Sequence, residues 1–235
     1  MRIKERIKKI IYKCGWDLRR ADPAELNKWK WLQEMNINTI LDIGANVGNL
    51  AILYREIFPT AEIYSFEPVK KSFDILNNRK KNDSLFHSYN VALGSKNGKT
   101  ILHHNEYDQS SSLKEMLQTH KEIYKFTEKE WDEEIEERTL NSYKDEIKIK
   151  ENLLVSMEVQ GLEKEVIENG MFYIEKAKIL VITLSFVQLY KNQPLFDEMY
   201  RYLYNIGFSY EGSYFQSRDP RNGKYLQSYC FFLKR

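Results

Sequence analysis

Two short segments carry the residue types that ligand chemistry needs. The first, LDIGANVGN from Leu41 to Asn49, places Gly44 and Gly48 where the backbone must turn sharply and where a Cβ would keep a ligand away. The second, Ser65-Phe66-Glu67-Pro68, ends an apolar run on a carboxylate. A carboxylate at a strand tip can accept hydrogen bonds from both hydroxyls of a ribose. Glu67 follows Asp42 by 25 positions, about one strand–helix–strand unit. A glycine loop paired with such an acid points to a ligand containing adenosine.

The loop also discriminates among adenosine ligands. A dinucleotide site wants G-x-G-x-x-G, whose second glycine lets backbone reach a pyrophosphate. In Gly44-Ala45-Asn46-Val47-Gly48 that place holds Asn46, and a phosphate loop ending in Gly-Lys-Ser/Thr is absent. Asp42 would repel a pyrophosphate but could face the ammonium or sulfonium of S-adenosylmethionine (SAM). SAM is therefore the expected cofactor, and an NAD-dependent oxidoreductase is the alternative.

These residues need strands that end beside one another. The sequence predicts strands at Thr39–Ile43, Glu62–Phe66, Leu85–Val91, Leu153–Val159 and Lys178–Leu184, with an edge strand over Lys99–His104. Between them it predicts helices at Leu50–Phe58, from Pro68 to about Lys81, at Glu163–Asn169 and at Leu195–Ile206, several stopped by Pro or Gly. Two aromatic-rich strands, Phe208–Phe215 and Tyr225–Leu233, flank turn residues and read as an antiparallel hairpin. Alternating strands and helices give an α/β fold, a mostly parallel Rossmann-like sheet with helices on both faces. Residues 114–137 are polar, and 121–137 hold eight acids against three lysines, which reads as a surface helix and a connecting excursion. Ile3, Ile7, Ile10 and Ile11 share one face of an N-terminal helix, and a second helix is expected over Ala24–Met35. Residues 1–36 are thus read as helices packed on a main domain at 37–235. The basic first helix could also touch an anionic membrane surface.

Composition removes other classes. The 235 residues carry 36 basic and 34 acidic side chains, so the excess typical of a nucleic-acid binder is missing. Cys14 and Cys230 are far apart and in no metal-ligand spacing, which favours a reducing, cytoplasmic setting without disulfide or metal. The apolar run at Ile179–Val187 is too short to span a bilayer.

In order along the chain, LDIGANVGN, YSFEPV, NVALGS, ERTLNSY, SMEVQGLEKEVIENG and LSFVQLYKNQPLFDEMYRYLYNIGF resemble the FkbM-family methyltransferases. The resemblance implies the class I methyltransferase fold, SAM, and O-methylation of a sugar, glycolipid or other hydroxylated small molecule. It matches Asp42, Gly44, Asn46 and Gly48 to the cofactor loop and Glu67 to the ribose acid. It places Asn90, Val91 and Ala92 near the adenine. Three positions depart from the family pattern, with Glu158 for Asp after the fourth strand, Thr183 for an acid in the fifth, and Tyr229 for an acid in the closing strand.

Methyl transfer to an alcohol needs orientation and a base for the hydroxyl proton. Glu158 and Glu163 are the catalytic candidates. A glutamate in an aspartate's place shifts the carboxylate by about an ångström, which can cost on the order of 100-fold in rate. A SAM-binding protein without turnover is therefore the second alternative. His103, His104, His120 and the Ser110–Ser112 run are weaker candidates.

Overall fold

The computed structural model describes residues 28–127 and 129–235. Two compact units emerge, Met1–Met35 and Asn36–Arg235. Of the first unit, residues 28–35 are described, and they hold a helical turn at Lys30–Gln33. The N-terminal isoleucine helix and the start of the helix expected from Ala24 lie outside them.

In the second unit the chain alternates as the apolar runs demand. Strand β1 (Thr39–Ile43) leads to helix α1 (Asn49–Ile57), β2 (Glu62–Phe66), α2 (Lys70–Lys80) and β3 (Phe86–Tyr89). After an excursion come β7 (Leu153–Met157), α4 (Glu163–Glu168), α5 (Met171–Ile174), β8 (Ala177–Ser185), α6 (Phe196–Asn205), β9 (Phe208–Arg218) and β10 (Tyr225–Lys234). These strands form one sheet in the order β3-β2-β1-β7-β8-β10-β9. β3, β2, β1, β7 and β8 run parallel, and β10 joins β8 and β9 antiparallel. The result is a mostly parallel Rossmann-like α/β sheet closed by a C-terminal hairpin.

Every residue of β1 and β7 is buried, as continuous apolar strands covered on both faces must be. Leu41, Val155, Leu180, Ile182 and Phe232 belong to the main core cluster with Tyr143 and Tyr173. From β1 the chain winds outward to β3, whereas from β7 it winds the other way. The crevice of a doubly wound sheet lies where that order reverses, so the carboxyl ends of β1 and β7 define where a ligand sits.

The excursion differs from its expected form. It holds a two-residue strand β4 (Ala92–Leu93), β5 (Gly98–Asn105), a short helix α3 (Gln118–Ile123) and β6 (Glu130–Arg138), with β4, β6 and β5 forming a second, three-stranded sheet. The acidic run EWDEEIEER is thus a strand, not a surface helix or loop. Its partner β5 supplies the opposing groups: Lys99 pairs with Glu134, His103 with Asp132 at 2.7 Å and His104 with Glu133 at 2.5 Å. Lys99 offsets part of the repulsion that the run would otherwise suffer, and the two imidazoles hold Asp132 and Glu133 by hydrogen bonds. β3 also ends at Tyr89 rather than Val91, because the chain turns at Asn90 to enter β4. Among the described residues no helix is long and apolar enough to cross a membrane.

Candidate active site

The loop after β1 is tied down by its own amides. Gly44 N and Ala45 N both donate to Phe66 O at 3.0 Å, and Gly48 N donates to Ala45 O at 2.9 Å. Asn46 N donates to Glu67 Oε2 at 2.8 Å, and Val47 N donates to Asn46 Oδ1 at 2.7 Å. Asn46 holds φ +48° and Gly44 and Gly48 hold +80° and +84°, a left-handed path that brings the chain into α1. All five amides from Gly44 to Gly48 therefore have partners within the protein.

Glu67 stands at the tip of β2, only 4% exposed. Its Oε1 accepts from Val69 N and its Oε2 from Asn46 N, each at 2.8 Å. Two backbone donors fix the carboxylate plane and leave one lone pair on each oxygen. Asn90 Nδ2 donates to the carbonyls of Glu67 and Pro68 at 2.8 and 2.9 Å, so this residue fastens the strand end. Ala92 is buried in β4, opposite Glu137.

Asp42, 1% exposed, accepts a hydrogen bond from Ser65 Oγ at 3.1 Å. Register sets Ser65 on β2 and Ser156 on β7 beside it. From α1, Tyr54 Oη donates to Ser156 Oγ at 2.9 Å. Burial pushes the Asp42 carboxyl up to about 7; Ser65 opposes this and the neighbouring Glu158 adds to it. Burial also pushes Glu67 up to about 7, with Asp108 and Asp42 as the charges that raise it further. The charged neighbours of these acids are thus other carboxylates.

Glu158 follows β7, its N–H donating to Ile43 O at 2.9 Å, and remains half-buried. Its Oε2 accepts from Tyr229 Oη on β10. Burial raises the Glu158 carboxyl and the Tyr229 bond lowers it. Tyr229 itself faces Thr183 across the β10–β8 pair. The three family departures therefore lie side by side: the longer glutamate reaches the phenol that replaces an acid, and Thr183 sits next to it.

Glu163, the other candidate base, is 3% exposed at the start of α4, and its Oε1 accepts from Gly161 N at 3.2 Å. Burial pushes it up to about 7. It braces the turn at Gln160 (φ +51°) and Gly161 (φ +99°) from beneath. Ser112 Oγ donates to Gln160 O at 2.9 Å, so the serine run does reach this loop. His103 and His104 lie on β5 beside the acids of β6, and His120 is buried with Nδ1 3.2 Å from Thr127 Oγ1. The Thr127 hydroxyl donates to Tyr124 O, so His120 Nδ1 must be the donor in that contact. Tyr54, Ser65 and Ser156 were not singled out from sequence, because only strand register brings them to Asp42.

The buried carboxyls give a pH signature. A carboxyl whose folded pKa exceeds its unfolded value holds its proton more tightly in the native state. Its contribution is then complete below pH 4 and is lost as pH climbs towards 7. Asp42, Glu67 and Glu163 all act this way. His120, which burial pushes down to about 4, opposes them by adding stability as pH rises to 6.5. Glu62 and Asp219 are lowered, so their windows lie below 4.5. Glu158, which burial also raises, adds to those three carboxyls, and four groups against one leave a net loss. Between pH 5 and 7.5 the ligand-free protein is expected to lose about 2 kcal/mol or more, some 4–8 °C in Tm. Thermal melts at constant ionic strength test this, and a Tm that rises over the interval would contradict it.

Residues 42–210, well over half of the chain, match the Methyltransferase FkbM domain family. The chain is 26% identical over 161 residues to the 2-O-methyltransferase NoeI of Sinorhizobium fredii (strain NBRC 101917 / NGR234), a stretch that covers 66% of each sequence. It thus spans just under two thirds of that relative's length. Among solved structures, the O-methyltransferase from Bacillus cereus in complex with SAH superposes with a TM-score of 0.48 at 11% identity, covering 98% of this chain and 90% of that one. The precorrin-6y C5,15-methyltransferase from Geobacter metallireducens GS-15 gives 0.47 at 9% identity, with 93% and 92% covered. With the family match falling on the strand tips that carry Asp42, Glu67 and Glu158, this chain belongs to the FkbM methyltransferase family.

Proposed function

We propose that this protein transfers a methyl group from SAM to a hydroxyl of a saccharide or another hydroxylated small molecule, and that it does so in the cytoplasm. The observation that carries the cofactor reading is the set of carboxylates at the strand tips, Asp42, Glu67 and Glu158, whose charged neighbours are further carboxylates. Such a cluster suits a cation and repels a pyrophosphate. The occupied amides of the Gly44–Gly48 loop support the same choice over NAD, since a pyrophosphate needs free N–H donors there. A relative named as a 2-O-methyltransferase favours oxygen as the methyl acceptor.

When bound, SAM supplies an electrophilic methyl on a sulfonium sulfur. Glu67 would accept hydrogen bonds from the ribose hydroxyls, with Asn46 N and Val69 N holding its carboxylate in plane. Asp42 and Glu158 favour the positive charge. Glu158 would take the proton that the acceptor hydroxyl gives up when it is methylated. Glu158 is the base rather than Glu163, because it is the less buried of the two and lies at the switch point.

Isothermal titration calorimetry with SAM, its demethylated product and NAD tests the reading. Binding of the first two and not of NAD is expected. Glu67→Gln should weaken SAM at least about tenfold, the worth of a charge-assisted hydrogen bond. Unchanged affinity in a variant with unchanged Tm would remove Glu67 from the site, and binding of NAD alone would reverse the cofactor assignment.

A further inference from the structure

The loop that follows β5 stretches across the carboxyl ends of the strands. Residues 105–112 leave β5 and return to it. At the base, His103 N donates to Ser112 O at 2.9 Å, Ser112 N to His103 O at 3.2 Å, and Asn105 N to Ser111 Oγ at 3.0 Å. At the tip, Asp108–Ser110 form a single 3-10 turn, in which Ser110 N donates to Tyr107 O at 2.8 Å. The loop is thus closed at its ends and folded at its tip, as a compact surface loop is.

Base and tip are fixed on opposite sides of β1. The base sits on the turn after β7, where Ser112 Oγ donates to Gln160 O at 2.9 Å. From the loop after β8, Tyr190 Oη donates to Ser110 O at 2.9 Å. The tip reaches the first turn of α2, which follows β2. There Ser72 Oγ donates to Asp108 Oδ2 at 3.1 Å, and Lys71 Nζ lies 3.7 Å from the same oxygen. Asp108 is among the charges that push Glu67 up, which puts the tip beside that acid. Because β2 and β7 both flank β1, their ends stand about 10 Å apart, two strand spacings. Three extended residues, from 105 to 108, cover about that distance. The loop therefore crosses the end of β1, over the crevice between Glu67 and Glu158.

The two attachments differ in kind. The base is held by backbone pairs and by two hydroxyls donating to carbonyls. The tip is held by one carboxylate and by the edge of Tyr107 on Phe126, both exposed rings. Lys71 is 77% exposed and adds little, whereas Ser72 is 1% exposed. The Ser72 bond can break while the base stays paired.

We propose that residues 105–112 are a flap over the cofactor crevice, and that Asp108, latched to Ser72, is a positioning residue that sets how fast the cofactor enters and leaves. The assignment rests on the SAM reading, since the flap spans the crevice that SAM would fill. A latch that closes equally over the empty and the filled crevice scales both rates by the open fraction and leaves affinity unchanged.

Surface plasmon resonance of the immobilised full chain, with SAM and its demethylated product as analytes, tests the flap. Ser72→Ala removes the latch and keeps every carboxylate. It should raise the association and dissociation rates of SAM together by about tenfold, the worth of a charge-assisted hydrogen bond, with Kd within about threefold. Asp108→Asn keeps a weaker acceptor and should fall between the parent and Asp108→Ala. Since Ser72 and Asp108 act through one bond, the doubly substituted Ser72→Ala/Asp108→Ala protein should be no faster than the faster single variant. Unchanged rates in variants with the parent's Tm, a rise in dissociation alone, or effects that multiply in the double variant would each overturn the flap. Any of these with SAM still bound leaves the methyl-transfer reading intact. A parent that binds neither SAM nor its product removes that reading and the flap with it.

Discussion

Replacing Glu158 by glutamine is expected to lower kcat by about a hundredfold to ten-thousandfold, the span of general-base contributions, with a much smaller change in SAM affinity. The amide keeps the shape and a hydrogen-bond acceptor for Tyr229 Oη but cannot take a proton. Geometry separates Glu158 from the other acids of the site. Its amide is pinned to Ile43 O, so the backbone does not drift, and its carboxylate receives the Tyr229 hydroxyl. That bond also tunes it, because burial raises the carboxyl and the phenol lowers it. Tyr229→Phe should therefore move the acid limb of the kcat profile to higher pH, with activity partly restored in alkaline buffer. Glu158→Asp draws the carboxylate back by about an ångström, away from Tyr229, and should cost on the order of 100-fold. From sequence alone the same change is expected to raise turnover, if the glutamate is a misplaced aspartate. The Tyr229 contact reverses that expectation, and a faster Glu158→Asp enzyme would show the contact to be unproductive.

How much of this was readable in the chain depends on what carried the signal. β1, β2, β7 and β8 were legible because long apolar, β-branched runs between Gly and Pro admit little else. Glu67 was legible because a carboxylate directly after such a run must lie at a strand tip. β6 was not, since Glu130–Arg138 has hardly any apolar alternation and becomes a strand through Lys99, His103 and His104 on β5. The same limit applies to Tyr54 and Ser156, 102 positions apart yet sharing a hydrogen bond. Glu158, Thr183 and Tyr229 could each be marked as a departure from a family pattern. Only the β8–β10 pairing shows them to be neighbours. Local chemistry can be read along a sequence, whereas compensation between distant residues needs the register.

Among the described glycines, Gly44→Ala should be the most damaging methyl addition. A Cβ on Gly44 would lie 2.1 Å from the carbonyl oxygen of Glu158 and 2.9 Å from its carbonyl carbon. Both are backbone atoms of a strand end, and neither can swing aside as a side chain would. The left-handed φ of +80° adds strain for any residue with a Cβ. Clash and strain together should cost at least about 3 kcal/mol, some 6–12 °C in Tm for a domain of this size. Gly48→Ala provides the comparison. Its φ is as unfavourable, but the Cβ would meet Leu76 Cδ1 at 2.5 Å, the mobile end of a side chain, so a cost nearer 1–2 kcal/mol is expected. Urea denaturation of the two variants measures the difference directly. The consequence for function follows from the same contact. Moving Gly44 off Glu158 O disturbs the paired Gly44 and Ala45 bonds to Phe66 O, hence the loop that presents Asn46 N to Glu67. It also disturbs the strand end that holds Glu158. Cofactor affinity and turnover should therefore fall together in Gly44→Ala, whereas Glu67→Gln acts mainly on the first and Glu158→Gln mainly on the second. A Gly44→Ala protein with the parent's urea midpoint and normal SAM binding would mean that the β1 loop does not press against β7 in solution, and the shared site would have to be redrawn.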